Sequence, residues 1–174
     1  MTIIRPARAG EVAAATAVIN AAYVVEAFFK VHPDRTDAQE IAARVARGQV
    51  LVATEGDAIV GCVAITTEPP EGRFGMLSVA PEHQRRGIAR QLIEAAEARC
   101  TARGCDSLAI EVVHLRTELP ACYERFGYAV TGTAPFPVPE QLSQPVHFLI
   151  LSKPLAATPA PVAQEAAPWA PASH

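Results

Sequence analysis

The stretch PEHQRRGIAR, residues 81–90, leaves an apolar run and enters a helical pattern whose first turn is crowded with Arg85, Arg86 and Arg90. A helix N-terminus carries partial positive charge and favours Asp or Glu, so arginines there call for a negative partner. Gly87 offers no side chain to obstruct close approach, Ala89 is small, and the helix start points unsatisfied backbone N–H groups outward. Guanidinium groups around such donors suit a diphosphate-sized anion, and a pyrophosphate is the expected partner. The alternative is that the arginines are solvated surface charges and Gly87 is only a turn residue. Neither GxxxxGK nor GxGxxG occurs in the chain, which excludes a P-loop and a dinucleotide-binding turn.

The elements that must position this loop follow from periodicity. Ile3 and Ile4 read as a short first strand stopped by Arg5-Pro6, and Gly10 to Phe29 as one long Ala-rich helical segment with Val12, Ala15, Val18, Ile19 and Ala22 at helical spacing. Thr36 and Gln39 have the spacing of a capping box for a second short helix, which carries Ile41 and Val45 and ends at Gly48. The β-branched runs at 50–54 and 58–67 flank Glu55-Gly56-Asp57 and predict an antiparallel hairpin. Pro69-Pro70-Glu71-Gly72 turns into a third long strand at about 74–79, ended by Pro81. A helix from Gly87 to Ala102 places Ile88, Leu92, Ile93 and Ala96 on one face and is closed by Gly104. LAIEVV at 108–113 follows, so strand, helix and strand form a crossover with a parallel pair. A short helix through 121–126, the strand YAVTG, a proline-rich loop and the strand at 146–152 complete a mixed sheet flanked by helices.

Composition bounds the rest. A chain of 174 residues, 50% hydrophobic and with net charge −3, is long enough for one domain with a substantial core, and it has no general attraction for nucleic acid or anionic membrane. Cys62, Cys100, Cys105 and Cys122 have no zinc-like spacing and read as four buried, reduced thiols, so no metal is expected. No segment resembles a signal peptide and no run approaches the ~20 apolar residues of a membrane span, which predicts no membrane partner and a cytoplasmic location. The domain is expected over residues 1–153. Residues 154–174, rich in Ala and Pro with Trp169 as an exception, read as a flexible tail.

Gln84, Gly87 and Ala89 match Q/R-x-x-G-x-G/A, and Tyr123-Glu124-Arg125-Phe126-Gly127-Tyr128 matches Y-x-x-x-G-F/Y at the right separation. Over about residues 2–153 the chain thereby resembles the Gcn5-related N-acetyltransferases. The resemblance implies an α/β (α+β) fold: a mixed, mostly antiparallel sheet of about seven strands flanked by helices, with a splayed parallel strand pair forming the acyl-CoA cleft. It implies acetyl-CoA as cosubstrate. The strand backbone around Leu77 and Val79 would pair with the pantetheine arm, while the Gln84-Arg85-Arg86-Gly87-Ile88-Ala89-Arg90 loop would hold the pyrophosphate through its backbone N–H groups.

The same resemblance makes Tyr123 the candidate general acid. A phenol with an ordinary pKa of about 10 is protonated at neutral pH and can donate to a departing thiolate. Glu111, in the middle of an apolar strand, is costly to bury unless it faces a polar cleft. In the branch that acetylates N-terminal residues of ribosomal proteins, a glutamate twelve residues before the tyrosine is the base, and Glu111 has that spacing. His114 is a second candidate base, and His83 a third that more simply reads as surface. Arg116 stands seven residues before Tyr123, where the family commonly has asparagine. There it remains a candidate contact to coenzyme A.

Family geometry would build the acceptor pocket from Phe28, Phe29, Lys30, His32, Asp34 and Arg35 with the loop APFPVPEQL, the two phenylalanines alternatively being core residues. The expected activity is acetyl transfer from acetyl-CoA to a primary amine, on a small molecule or a peptide N-terminus, by direct attack in a ternary complex. A coenzyme A-binding module without catalysis and a structural domain binding an unrelated anion are the alternatives. Homodimerisation is a family habit.

Overall fold

The computed structural model describes residues 1–156, and most of the Ala/Pro-rich segment, with Trp169, lies outside them. Seven strands form one sheet: β1 Ile3–Pro6, β2 Val50–Glu55, β3 Ala58–Thr66, β4 Glu71–Val79, β5 Ser107–Val113, β6 Ala129–Pro135 and β7 His147–Pro154. Their order is β1-β2-β3-β4-β5-β7-β6, with β4 and β5 parallel and every other neighbouring pair antiparallel. This is the mixed α/β sheet that periodicity predicted. The parallel pair needs a crossover, which α3, Ile88–Ala102, supplies.

Strand alternation divides the core between two faces. Val50, Val52, Cys62 and Ala64 pack with Ala15 and Ile19 of α1, Val12–Tyr23, and with Ile41 of α2, Ala38–Ala46. Leu51, Ala53, Val63 and Ile65 point the other way, onto Ile88, Leu92, Ile93 and Ala96 of α3 and toward Tyr123 of α4, Leu119–Glu124. Each sheet face is thus buried under its own helix pair.

Several local expectations are corrected. The predicted long helix to Phe29 stops as α-helix at Tyr23 and tightens into a 3₁₀ helix over Val24–Phe29. β-Branched Val24 and Val25 propagate an α-helix poorly. The tightened turn buries Phe29 completely while Phe28 stays 55% exposed. The cap of α2 is Asp37, one residue beyond the predicted Thr36: Asp37 Oδ1 accepts from the Glu40 amide at 2.8 Å, and Thr36 Oγ1 donates to the Glu40 carboxylate at 2.7 Å. All four cysteines are free, but only three are buried, and Cys122 is exposed on the outer side of α4.

The apolar stretch Ala9–Phe29 does reach the length and hydropathy of a membrane span, at 21 residues and a mean hydropathy of 1.7. Within the fold it runs as a 12-residue α-helix between two 3₁₀ segments. Its inner face carries Ala15 and Ile19 against the sheet. It also carries Asn20, whose side chain binds the backbone of Arg35 and Thr36.

Candidate active site

Pro81–His83 makes a 3₁₀ turn after β4, and the chain then reverses through Arg85 at φ +60° and Gly87 at φ +80° into α3. The second reversal needs a residue tolerant of the left-handed region, and Gly87 also has no atom within 4 Å of where a Cβ would stand. The first helical bond is the Gln91 amide to the Gly87 carbonyl at 3.2 Å. Among the described residues, the amides of Arg85 through Arg90 have no internal acceptor. Gln84 turns inward instead, its Nε2 donating to the Val79 carbonyl at 3.1 Å and pinning the loop to β4. Of the three arginines, Arg86 pairs with Glu55 at 3.0 Å, and Arg90 pairs with Glu94 at 3.4 Å while lying over the Phe126 ring. Arg85 has no ion-pair partner among the described residues. His83, 3.6 Å from Glu55, belongs to the outer wall of this loop.

The strand leading into the loop is bent. In β4, Gly75 pairs with Ala64 and Ser78 with Cys62, so Met76 and Leu77 together face one residue of β3, and Met76 takes φ +51°. This β-bulge inverts the alternation: Phe74 packs on the α3 side, Met76 on the α1 side, and Leu77 and Val79 return to the α3 side. Register with β5 ends at Phe74–Ile110, so β4 from Gly75 to Val79 has no β5 partner. The two strands part there, and the backbone at Leu77 and Val79 lies along the opening.

A cavity of about 540 Å³ occupies the parting. Its wall includes Gly75 and Met76 of β4, Ala109 to Val113 of β5, Leu119 and Tyr123 of α4, and, from the other sheet face, Tyr23, Glu26, Lys30 and the 32–40 segment. It is roofed by the loop between β6 and β7, which contributes Phe136, Pro137, Val138 and Gln141. That roof is fastened to the segment after α1 by the Val31 amide on the Gln141 carbonyl at 2.8 Å and the Ser143 amide on the Phe29 carbonyl at 2.9 Å.

Tyr123 is 8% exposed, held edge-on to Phe74 and Tyr128 at 6.0 and 6.1 Å between ring centres. Burial pushes its phenol pKa well above the ordinary value of 10, with the Tyr23 hydroxyl adding to the effect and the Arg116 charge opposing it. Glu111 also lines the cavity, its carboxylate engaged by Arg73 Nη1 at 2.8 Å. His114 is not on the cavity wall: its ring stacks on His147 at 3.9 Å, and its Nδ1 accepts from the His147 amide at 3.2 Å. Arg116 reaches Glu26 at 3.2 Å and also pairs with Glu118, so its guanidinium is committed to the far wall of the cavity. Lys30, His32, Asp34 and Arg35 line the cavity as expected, whereas Phe28 and Phe29 do not.

Two wall residues, Glu26 and Arg73, escaped the sequence reading. Glu26 interrupts the apolar run Val24–Phe29 and stands four residues before Lys30, a spacing that marks an ion pair; Arg73 breaks an otherwise apolar strand entry.

Residues 46–130, which span β2 through the start of β6, match the sequence model of the acetyltransferase (GNAT) domain. Over these residues the chain is similar to the GNAT acetyltransferase domain. It is also similar to a curated acetyl transferase of rice (Oryza sativa subsp. japonica), GW6a, at 38% identity over 72 residues, 41% of this chain. The chain spans only 16% of that relative's length. In fold, the chain resembles the ribosomal-protein-S18-alanine N-acetyltransferase of Escherichia coli, with a TM-score of 0.70 at 18% identity over 91% of this chain and 96% of that one. It also resembles YncA of Salmonella typhimurium, solved with its cofactor acetyl-CoA, with a TM-score of 0.71 at 19% identity over 94% and 99% of the two chains. Ard1 of Thermoplasma volcanium is similar at TM-score 0.73 and 14% identity, over 89% and 98%.

Proposed function

We propose that this domain transfers the acetyl group of acetyl-CoA to a primary amine, on a small molecule or a peptide N-terminus, by direct attack in a ternary complex. One observation carries the reading: six consecutive amides, at residues 85–90, lack internal acceptors in the loop that follows β4, the strand that parts from β5 beyond Phe74. Bound acetyl-CoA would supply the activated acyl group as a thioester. The amides of Arg85 through Arg90 bind its pyrophosphate, with Arg85 as the free cation beside them. The open edge of β4 at Leu77 and Val79 pairs with the pantetheine arm as an added strand would. Arg116, tied to Glu26, holds the cavity wall.

In the reaction a C–N bond forms, a C–S bond breaks, one proton leaves the amine and one joins the sulfur. Tyr123 O–H donates to the sulfur, and the burial that keeps the phenol neutral suits it to that task. Glu111 receives the amine proton through water, Arg73 fixing the carboxylate in the cavity wall. His114, spent on His147, is given no step. No metal is required. Four free thiols fit a reducing cytoplasm.

The test begins with binding. Coenzyme A at a hundredfold excess over its Kd is expected to raise Tm by roughly 5–10 °C. Gly87→Val, which forces a β-branched side chain to φ +80° at the cradle, is expected to remove that rise. Free thiol is then measured with a panel of amines. No thermal effect of coenzyme A would refute the reading; a thermal shift without thiol release from any amine would leave a non-catalytic coenzyme A-binding module.

A further inference from the structure

The acceptor side of the cavity contains a cation without an adequate acceptor. The Lys30 side chain is 11% exposed, and its ammonium is buried with no hydrogen-bond partner. Its nearest carboxylate oxygen, on Glu26, lies 3.5 Å away, and Glu26 also accepts from Arg116 at 3.2 Å. The ammonium otherwise stands over the Tyr23 and Phe29 rings at 5.7 and 5.6 Å from their centres. Three N–H donors in a dry site with one shared, distant carboxylate is an unfavourable arrangement until an anion arrives. Arg35 lines the same wall, its guanidinium 5.6 Å over the other aromatic neighbour, Tyr23, with no carboxylate partner among the described residues.

The acidic groups of the wall are, in contrast, mostly engaged. Glu40 accepts from Arg44 and Thr36, Asp37 caps α2, Glu111 is held by Arg73 and Glu26 by Arg116; Asp34 alone has no partner among the described residues. A plain amine or a polyamine would leave Lys30 and Arg35 unsatisfied. Phe136, Val138 and Phe148 give the remaining wall an apolar surface.

We propose that the acceptor is an amine that also bears a carboxylate, of the apolar α-amino acid class, with the carboxylate held by Lys30 and Arg35. Its amine then faces Glu111 and Tyr123, and its side chain lies against Phe136, Val138 and Phe148. This inference rests on the acetyl-transfer reading, deepening it to a substrate class.

The test compares matched pairs, L-leucine with L-leucinamide and L-methionine with L-methioninamide, by thiol release from acetyl-CoA. Each acid should exceed its amide at least tenfold in kcat/KM. Lys30→Met and Arg35→Gln should each lower that ratio at least tenfold, mainly through KM for the acid. Coenzyme A should still raise Tm in both variants, which reports a folded cofactor site. Equal turnover of acid and amide, or an acid preference surviving both substitutions, would overturn the proposal. Binding is read separately by calorimetry with N-acetyl-L-leucine and N-acetyl-L-leucinamide. Selective binding of the acid, lost in the variants, supports the carboxylate site even when no amine is turned over, which would count only against acetyl transfer. Failure of the acid to bind the wild-type protein overturns the site itself.

Discussion

Tyr123 owes its chemical state to the aromatic cluster around it. Burial pushes its pKa upward from 10, so the phenol remains a proton donor through the whole range in which amines lose their protons. The rate should therefore rise with pH as the acceptor amine deprotonates, and show no descending limb up to pH 10; a fall between pH 8 and 10 in the stable protein would count against Tyr123 as the acid. Tyr123→Phe should reduce kcat by about 10²–10⁴-fold, the range of general acid catalysis, with KM for acetyl-CoA little changed. Tyr123 and the 84–90 loop were legible because each belongs to a short run of fixed spacing. Glu26 with Arg116 and Arg73 with Glu111 were not: the partners lie 90 and 38 residues apart, and only the folded sheet brings them together.

The strand β4 shows what periodicity can and cannot reveal at the scale of an element. Its core, 74–79, reads directly from the sequence, but the strand begins at Glu71, inside residues that look like a turn, because pairing with Ser107 and Leu108 of β5 extends it. Nothing in the letters marks the bulge, since methionine has no preference for a φ of +51°. Gly72 is required by packing: a Cβ there would stand 2.6 Å from Cys100 Sγ and 3.1 Å from the Thr66 carbonyl. Gly72→Ala should cost about 1–3 kcal/mol in urea unfolding, as overpacking does. Adding Cys100→Ala should recover part of that loss, giving a non-additive pair; strict additivity would show that the backbone, not the thiol, takes the strain.

Across the whole molecule, Arg5 and Glu11 join β1 to the start of α1: Arg5 Nη1 donates to Glu11 at 2.9 Å, and the Arg8 amide donates to the same carboxylate at 2.8 Å. The Arg5 hydrogen bonds hold the Glu11 pKa down at about 2 against an ordinary 4.5. A depressed carboxylate stabilises the fold fully above its unfolded pKa and loses that contribution as pH falls through the folded one. Glu11→Gln should therefore cost roughly 0.5–1 kcal/mol at pH 7, the range of partly exposed ion pairs, and the difference from wild type should shrink from pH 4.5 toward pH 2 in urea midpoints. The global architecture was legible because seven strand signals and one crossover leave few alternatives. The break in the first helix and the single exposed thiol depend on tertiary packing that local patterns do not encode.

The sheet order also has a temporal side. β7 lies between β5 and β6, so the last of the described strands to be made fills the space between two made earlier. Strands β1 through β5 and α3 can assemble during synthesis, but β6 has no neighbour and the outer edge of β5 stays bare until residues 147–154 emerge. The β6–β7 connection that roofs the cavity can be set down only after that insertion, so a ribosome-bound chain stopped before β7 would carry the 84–90 loop already formed but a cavity without its roof.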